Sequence, residues 1–262
     1  MRRFALVASV LASCSGMPRG PVAALPPSAP ATEVAAPSPA IAEPEVAAST
    51  ETWRLDDFDV WVSTPPGKER KPIVVGVHGS NERAQDACET WRAAVGEHAF
   101  IVCPRGVRWR WVKNETWGPA WVLAERADKA IAAVRARYAD RVASGPVVYA
   151  GFSLGATLAS EVVASRPQVY GAVIMVEVGH TPLGATRAST ELAKGGVSTV
   201  VVACATQPCL AFERRLEAAS KDKSFAVALA DGNIGRGHFF DAPVIAAIAR
   251  AWPSVASKRE AR

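Results

Sequence analysis

Apolar residues fall along this chain in two kinds of stretch. Short uninterrupted runs rich in β-branched residues occur at Ile73–Val77, Phe100–Cys103, Val147–Ala150, Ala172–Glu177, Val197–Ala203 and Phe225–Ala230. Runs without polar alternation predict strands covered on both faces. Between them lie stretches with apolar positions at helical spacing: Ala84–Gly96, with Trp91 and Ala94 on the inner face; Ala124–Val142, with Ala130, Ile131 and Val134; then Leu154–Ser165, Leu210–Ala219 and Ala242–Ala251. Ahead of all these, Trp53–Val62 predicts one or two edge strands, including Asp59-Val60-Trp61-Val62. Strands alternating with helices imply an α/β domain, a doubly wound and mostly parallel sheet with helices on both faces. We place this single domain at residues 51–262. Ligands of such sheets bind at the carboxyl ends of the strands, where Ser80, Ser153, Glu177 and His238 fall.

The first fifty residues read differently. Met1-Arg2-Arg3 is a basic start, Phe4 to Ala12 a short apolar run, and Leu11-Ala12-Ser13-Cys14 resembles a bacterial lipobox. That reading makes 1–14 a lipoprotein signal peptide and Cys14 the lipidated residue. Ordinary secretion with cleavage near Ala12, or an apolar start of a cytoplasmic protein, are the alternatives. Residues 15–50 hold 8 of the 19 prolines among Ala and Ser, with no apolar periodicity. Such a segment cannot offset its ordering entropy by burial, and it reads as a disordered, extended linker. The expectation is a folded domain tethered in the bacterial cell envelope, at the periplasm or cell surface, touching membrane only through its lipid. No stretch is long enough to span a bilayer as a helix.

The chemistry centres on Gly151-Phe152-Ser153-Leu154-Gly155. A strand precedes it and a small-residue helix follows, the context of a nucleophile elbow that lifts a serine hydroxyl out of the sheet edge. Upstream, the strand Ile73–Val77 ends in His78-Gly79-Ser80-Asn81; downstream, His238 sits in Gly237-His238-Phe239-Phe240 before the last helix. With these three landmarks in order, residues 53–253 resemble the α/β-hydrolase superfamily, especially its small lidless serine hydrolases of the dienelactone-hydrolase and esterase type. The resemblance implies Ser153 as nucleophile, His238 as base, and the backbone amides of Ser80 and Leu154 as the oxyanion hole. His78 then shapes the oxyanion loop.

The resembling pattern breaks at the acid. It belongs after the penultimate core strand, here Ser198–Ala203, yet Gln207 stands about there. A glutamine orients an imidazole but cannot stabilise its cation by charge. Glu177, at the end of the preceding strand, is the favoured substitute. Asp231 and Asp241 are the alternatives, the latter also fit to cap the last helix, and a centre with no acid is the remaining one. His180, three residues after Glu177, reads as a rim residue.

Setting Cys14 aside leaves Cys88, Cys103, Cys204 and Cys209, an even number that suggests two disulfides in an exported domain. Cys88 with Cys103 joins adjacent βα elements; Cys204 with Cys209 closes the turn that holds Gln207. The alternative is four buried thiols. The loop Pro104–Trp121 carries four of the eight tryptophans. Trp109 and Trp111, with Arg108, are candidates for substrate binding at the rim, and Arg105 and Arg110 are further cations for a carboxylate. The alternative is that these tryptophans pack on the sheet edge.

The formal charge of +5 is dispersed, and no nucleic-acid motif is present. The four histidines show no metal-ligand spacing, so no metal or cofactor is expected. The favoured function is a monomeric serine hydrolase acting on a small acyl substrate such as a carboxylic ester. The alternatives are an envelope peptidase and a catalytically weak binding module that keeps the fold.

Overall fold

The structure is a computed structural model, and it describes residues 46–180 and 184–256. The signal-type segment with Cys14 and nearly all of the linker lie outside the described residues. The chain divides into two units, Met1–Glu43 and Pro44–Arg262; the fold below is that of the second.

Among the described residues, eight strands form one sheet in the order β1-β2-β4-β3-β5-β6-β7-β8. The strands β1 (Ser49–Leu55) and β2 (Phe58–Thr64) pair antiparallel, and β2 is antiparallel to β4 (Phe100–Pro104). From β4 through β3 (Ile73–Val77), β5 (Val147–Phe152), β6 (Tyr170–Val176), β7 (Thr199–Cys204) and β8 (Ala226–Asp231) every pair is parallel. The chain leaves β3 toward β4 on one side and returns to β5 on the other. A crevice opens at such a switch point, at the carboxyl ends of β3 and β5.

Alternate residues of the apolar strands feed two cores. Val75, Val77, Tyr149, Val173, Val200 and Val202 face one core with the helices α2 (Ala120–Arg137), α3 (Leu154–Ser165), α4 (Ala185–Gly195) and α5 (Gln207–Ala219). Val74, Val148, Ala150, Ile174 and Val201 face the other with α1 (Ala84–Val95) and α6 (Ala242–Ala256). Burial on both faces is why these strands lack polar alternation. No helix of the described residues is long and apolar enough to cross a membrane.

Several details differ from the sequence reading, among them the start of α5 at Gln207 and the end of α6 at Ala256. β1 begins at Ser49, inside the stretch read as linker, because Ser49 pairs with Thr64 of β2. The helix expected over 124–142 runs from Ala120 to Arg137, and the chain then turns so that Ala143 N–H reaches the Lys71 carbonyl. α4 was not anticipated. It buries Ala185, Ala188, Ser189 and Leu192, a helical stripe with one large apolar residue, too faint to stand out in a polar segment.

Candidate active site

The elbow is built by close approach. Ser153 follows β5 with φ 51° and ψ −111°, a left-handed backbone that a non-glycine residue holds only when its surroundings enforce it. A Cβ on Gly151 would stand 2.5 Å from the Gly155 carbonyl carbon, and one on Gly155 would stand 2.7 Å from Val77 Cγ1 and 2.8 Å from the His78 oxygen. Both glycines therefore let α3 start against β3 and β5. Beneath the turn, the buried Tyr149 hydroxyl donates to the Gly155 carbonyl at 2.6 Å. Burial raises the Tyr149 pKa well above the phenol range, so it stays a donor. Leu154 opens α3, so its N–H belongs to the first turn, where no intrahelical acceptor exists.

The loop after β3 is held by two clamps. Gly106 N–H donates to His78 Nε2 at 3.1 Å, so Nε2 is the acceptor and Nδ1 carries the proton; Nδ1 in turn lies 2.7 Å from the Gly79 carbonyl. That fixes the Gly79–Ser80 peptide with its oxygen toward the ring and the Ser80 N–H on the opposite side. Burial lowers the pKa of His78, which keeps it neutral and suits it to this structural role. The second clamp is Glu82, whose carboxylate accepts the Gly79 N–H at 2.6 Å. Burial raises the Glu82 pKa; the Gly79 N–H and then the nearby His238 act against that rise. Ser80 is exposed, with its Oγ 3.1 Å from Thr116 Oγ1.

His238 arrives on the loop between β8 and α6. Its Nε2 lies 2.9 Å from Ser153 Oγ, and its ring packs 5.1 Å from that of Phe152. On the other side, Nδ1 lies 3.4 Å from Glu177 Oε2. That is longer than an ideal N–H···O bond, and Nδ1 has no other acceptor. Glu177 is fully buried, one residue past β6, with φ 52°. Its Oε1 accepts the Ala205 N–H, and its Oε2 accepts the Thr206 hydroxyl at 2.7 Å and faces His180 Nε2 at 3.2 Å. Burial alone would raise its pKa; the donors from His238, Ala205, Thr206 and His180 outweigh that and hold it below the usual carboxylate value.

The structure thus brings Ser153, His238 and Glu177 together, with Ser80 and Leu154 on the loops beside Ser153. The other carboxylates are engaged elsewhere. Asp231 Oδ1 caps the turn after β8, accepting from Asn233 and Ile234 amides at 2.8 and 3.2 Å. Asp241 pairs with Arg236, while its backbone carbonyl accepts the Ile245 amide at the start of α6. Gln207 is exposed at the first turn of α5.

The turn bearing Gln207 nevertheless matters. Ala205 links Glu177 to the His238 loop: its N–H goes to Glu177, and its carbonyl accepts the Gly235 and Arg236 amides at 2.9 and 3.0 Å. Thr206 caps α5 through Cys209 N–H at 3.4 Å. Sequence reading missed Ala205, Thr206 and Glu82. Thr206 ahead of Pro208 carries the signature of a helix cap, which marks a helix start but not a carboxylate partner on another strand. The sulfur atoms of Cys204 and Cys209 are 2.02 Å apart, and those of Cys88 and Cys103 2.29 Å, both at disulfide distance and paired as expected.

The tryptophan loop divides by role. Trp117 is buried, stacks 4.6 Å from His78 and donates its indole N–H to the His78 carbonyl at 2.9 Å. Trp109 and Trp111 lie at the tip, 41% and 76% exposed, with ring centroids 5.6 Å apart. The tip is tied to the loop after β3: Asn114 bonds Asn81 twice at 3.0 Å, and Glu115 bridges Glu82. Arg108 is exposed there. Arg105 is not available for substrate, because it pairs with Asp59 and the buried Glu115 at 2.9 Å each. A cleft of about 250 Å³ adjoins the site, lined by Glu82, Phe152 and Phe240 among others.

No protein-family profile matches the sequence, and no curated protein sequence matches it. Solved structures do. A dienelactone hydrolase from Anabaena variabilis superposes with a TM-score of 0.57 at 14% identity, covering 81% of this chain and 98% of that one. Carboxylesterases from Mesorhizobium loti (TM-score 0.54, 17% identity, 78% and 98% covered) and Bacillus cereus (0.54, 12%, 77% and 95%) are similar as well. At such identities the likeness is one of fold: a single eight-stranded, mostly parallel sheet between two helical layers, the α/β-hydrolase fold.

Proposed function

We propose that this protein is a serine hydrolase that cleaves a carboxylic ester or related acyl bond in a small substrate. The observation that carries this reading is the placing of Ser153 Oγ 2.9 Å from His238 Nε2, with Glu177 Oε2 3.4 Å from the other ring nitrogen. Ser153 attacks the acyl carbon while His238 Nε2 takes its proton. Glu177, kept anionic, supports the imidazolium across Nδ1. The Ser80 and Leu154 amides receive the negative charge on the carbonyl oxygen. His238 then gives the proton to the leaving alcohol, and water repeats the sequence to free Ser153. The exposed Trp109 and Trp111 with Arg108 are the proposed substrate contacts. The structural neighbours that are esterases support the reading at the level of fold.

A fluorophosphonate probe tests it. Labelling of the wild type that disappears in Ser153→Ala is the expected result; undiminished labelling in that variant, or no labelling of the wild type, rejects it. We further propose that the domain is lipid-anchored through Cys14 in a bacterial envelope. Mass spectrometry of the native N-terminal peptide should show acylated Cys14 without residues 1–13, and an intact Met1 would refute the anchor.

A further inference from the structure

Two imidazoles, not one, converge on Glu177. Oε2 lies 3.2 Å from His180 Nε2 and 3.4 Å from His238 Nδ1, and the three donor atoms all lie within 4.8 Å of one another. The rings of His180 and His238 meet edge to face at 4.2 Å. Donor atoms about 2.1 Å from a tetrahedral zinc ion stand about 3.4 Å apart. The two edges that include Glu177 already have that length. Only the edge between the imidazole nitrogens has to close, and His180, its side chain 31% exposed, is the one to adjust, because His238 is held at 2.9 Å by Ser153 Oγ. The Thr206 hydroxyl, 3.0 Å from His180 Nε2 and 2.7 Å from Glu177 Oε2, adds an oxygen donor at the same place.

We propose that Glu177, His180 and His238 form a binding site for a divalent zinc-like ion, and that its occupancy switches hydrolysis off. The switch rests on the catalytic reading above. An ion on His238 Nδ1 needs the lone pair there, so the ring proton moves to Nε2. Nε2 then presents N–H to Ser153 Oγ and cannot accept its proton. His180 likewise shifts its proton from Nε2 to Nδ1, so neutral rings bind the ion without net proton release. The ion also takes up the carboxylate charge that would support an imidazolium. Nothing in the spacing of the four histidines signals this set, because His238 joins it from a distant loop.

Calorimetric titration of the full chain with zinc chloride tests the site directly. The wild type should bind one ion per chain at this site. His180→Ala and His180→Gln should each weaken that binding by at least about tenfold, as expected for loss of one ligand. Ser153→Ala should leave it unchanged. Ester turnover should fall as zinc occupies the site and return on adding a chelator. Equal zinc affinity in the wild type and both His180 variants overturns the site, as does turnover unaffected at full occupancy. Failure of the hydrolase reading would show separately, as absent fluorophosphonate labelling, while the titration still decides the metal site.

Discussion

The Thr206 hydroxyl donates to Glu177 Oε2 at 2.7 Å, so the turn after β7 holds a carboxylate from the end of β6 instead of supplying one. In the pattern this sequence resembles, that turn carries the acid itself. Here it carries Gln207, exposed, while its neighbours Ala205 and Thr206 reach across to the end of β6. The Ala205 N–H and the Thr206 hydroxyl thus form a socket for the Glu177 carboxylate.

Substitution at each carboxylate separates the candidates. Glu177→Gln keeps the shape but removes the charge behind His238, and should lower kcat by about 10²–10⁴-fold with little change in KM. Asp231→Asn and Gln207→Ala should leave kcat near the wild-type value, since Asp231 caps a turn and Gln207 faces solvent. Steady-state kinetics on a chromogenic ester decide this. Full activity in Glu177→Gln with loss in Asp231→Asn would reverse the assignment.

Stability should fall on acidification in two windows. His78 is held below its ordinary value of 6.5 by burial. The unfolded chain therefore binds the proton first, and stability is lost as pH falls below about 6.5. Glu177 is held below its ordinary value of 4.5 by its donors despite burial. Its contribution is present above about 4.5 and is lost as pH falls through its folded value. Glu82, raised by burial, works in the opposite sense: its contribution is present below 4.5 and is lost as pH rises through its folded value. Thr206→Val tests the Glu177 window through the pH-dependent part of its effect, the lost cap on the Cys209 N–H being independent of pH. Removing a hydrogen bond to a charged group should cost about 1.5–3 kcal/mol at neutral pH, and the deficit should shrink once Glu177 protonates. Urea unfolding from pH 7 downward to the acid limit of folding checks it; a deficit that stays constant over that whole range would mean the hydroxyl does not act through the carboxylate charge.

Much of this was legible because it is local. A buried parallel strand is an apolar run, and an elbow needs glycines at fixed offsets, so β3, β5 and Ser153 stand out in the sequence. Glu177 could be narrowed to one of a few carboxylates because chain order limits which strand end it occupies. What stayed hidden depends on residues distant in sequence. Ala205 works through its backbone alone, so its side chain carries no signal. The division of the tryptophans into buried Trp117 and exposed Trp109 and Trp111 follows from His78 offering a stacking face and a free carbonyl, which composition does not encode. α4 hid because small residues fill its buried stripe.

The exposed tryptophans should act on substrate and not on folding. Trp111 buries little surface in the protein, so Trp111→Ala should change stability by less than about 0.5 kcal/mol. If the tip contacts substrate, KM should rise while kcat holds, in Trp111→Ala and in Trp109→Ala alike. By contrast, Trp117→Ala removes a buried indole and its bond to His78, and should cost about 3–5 kcal/mol. Chemical denaturation alongside KM measurement separates the two groups; an unchanged KM in both tip variants would remove Trp109 and Trp111 from the substrate contacts.

The two disulfides should differ in what their loss does to catalysis. By loop-closure entropy, removing Cys88–Cys103 should cost about 3 kcal/mol and removing Cys204–Cys209, with its shorter loop, about 2 kcal/mol. The order reverses for activity. Cys88–Cys103 ties α1 to β4, and neither element supplies Ser153, Glu177 or His238. Cys204–Cys209 brackets Ala205 and Thr206, which hold Glu177, and the Ala205 carbonyl anchors the amides of Gly235 and Arg236 just ahead of His238. Loosening that turn disturbs acid and base together. The double variant Cys204→Ala with Cys209→Ala should therefore lose kcat by about tenfold or more, since a misplacement near 1 Å costs on the order of 10²-fold. Cys88→Ala with Cys103→Ala should keep kcat at a temperature where it remains folded. Measuring kcat and unfolding free energy on both pairs gives the comparison. Equal kcat in the two double variants would show that Ala205 and Thr206 keep their positions without the bridge, leaving the second disulfide a purely stabilising one.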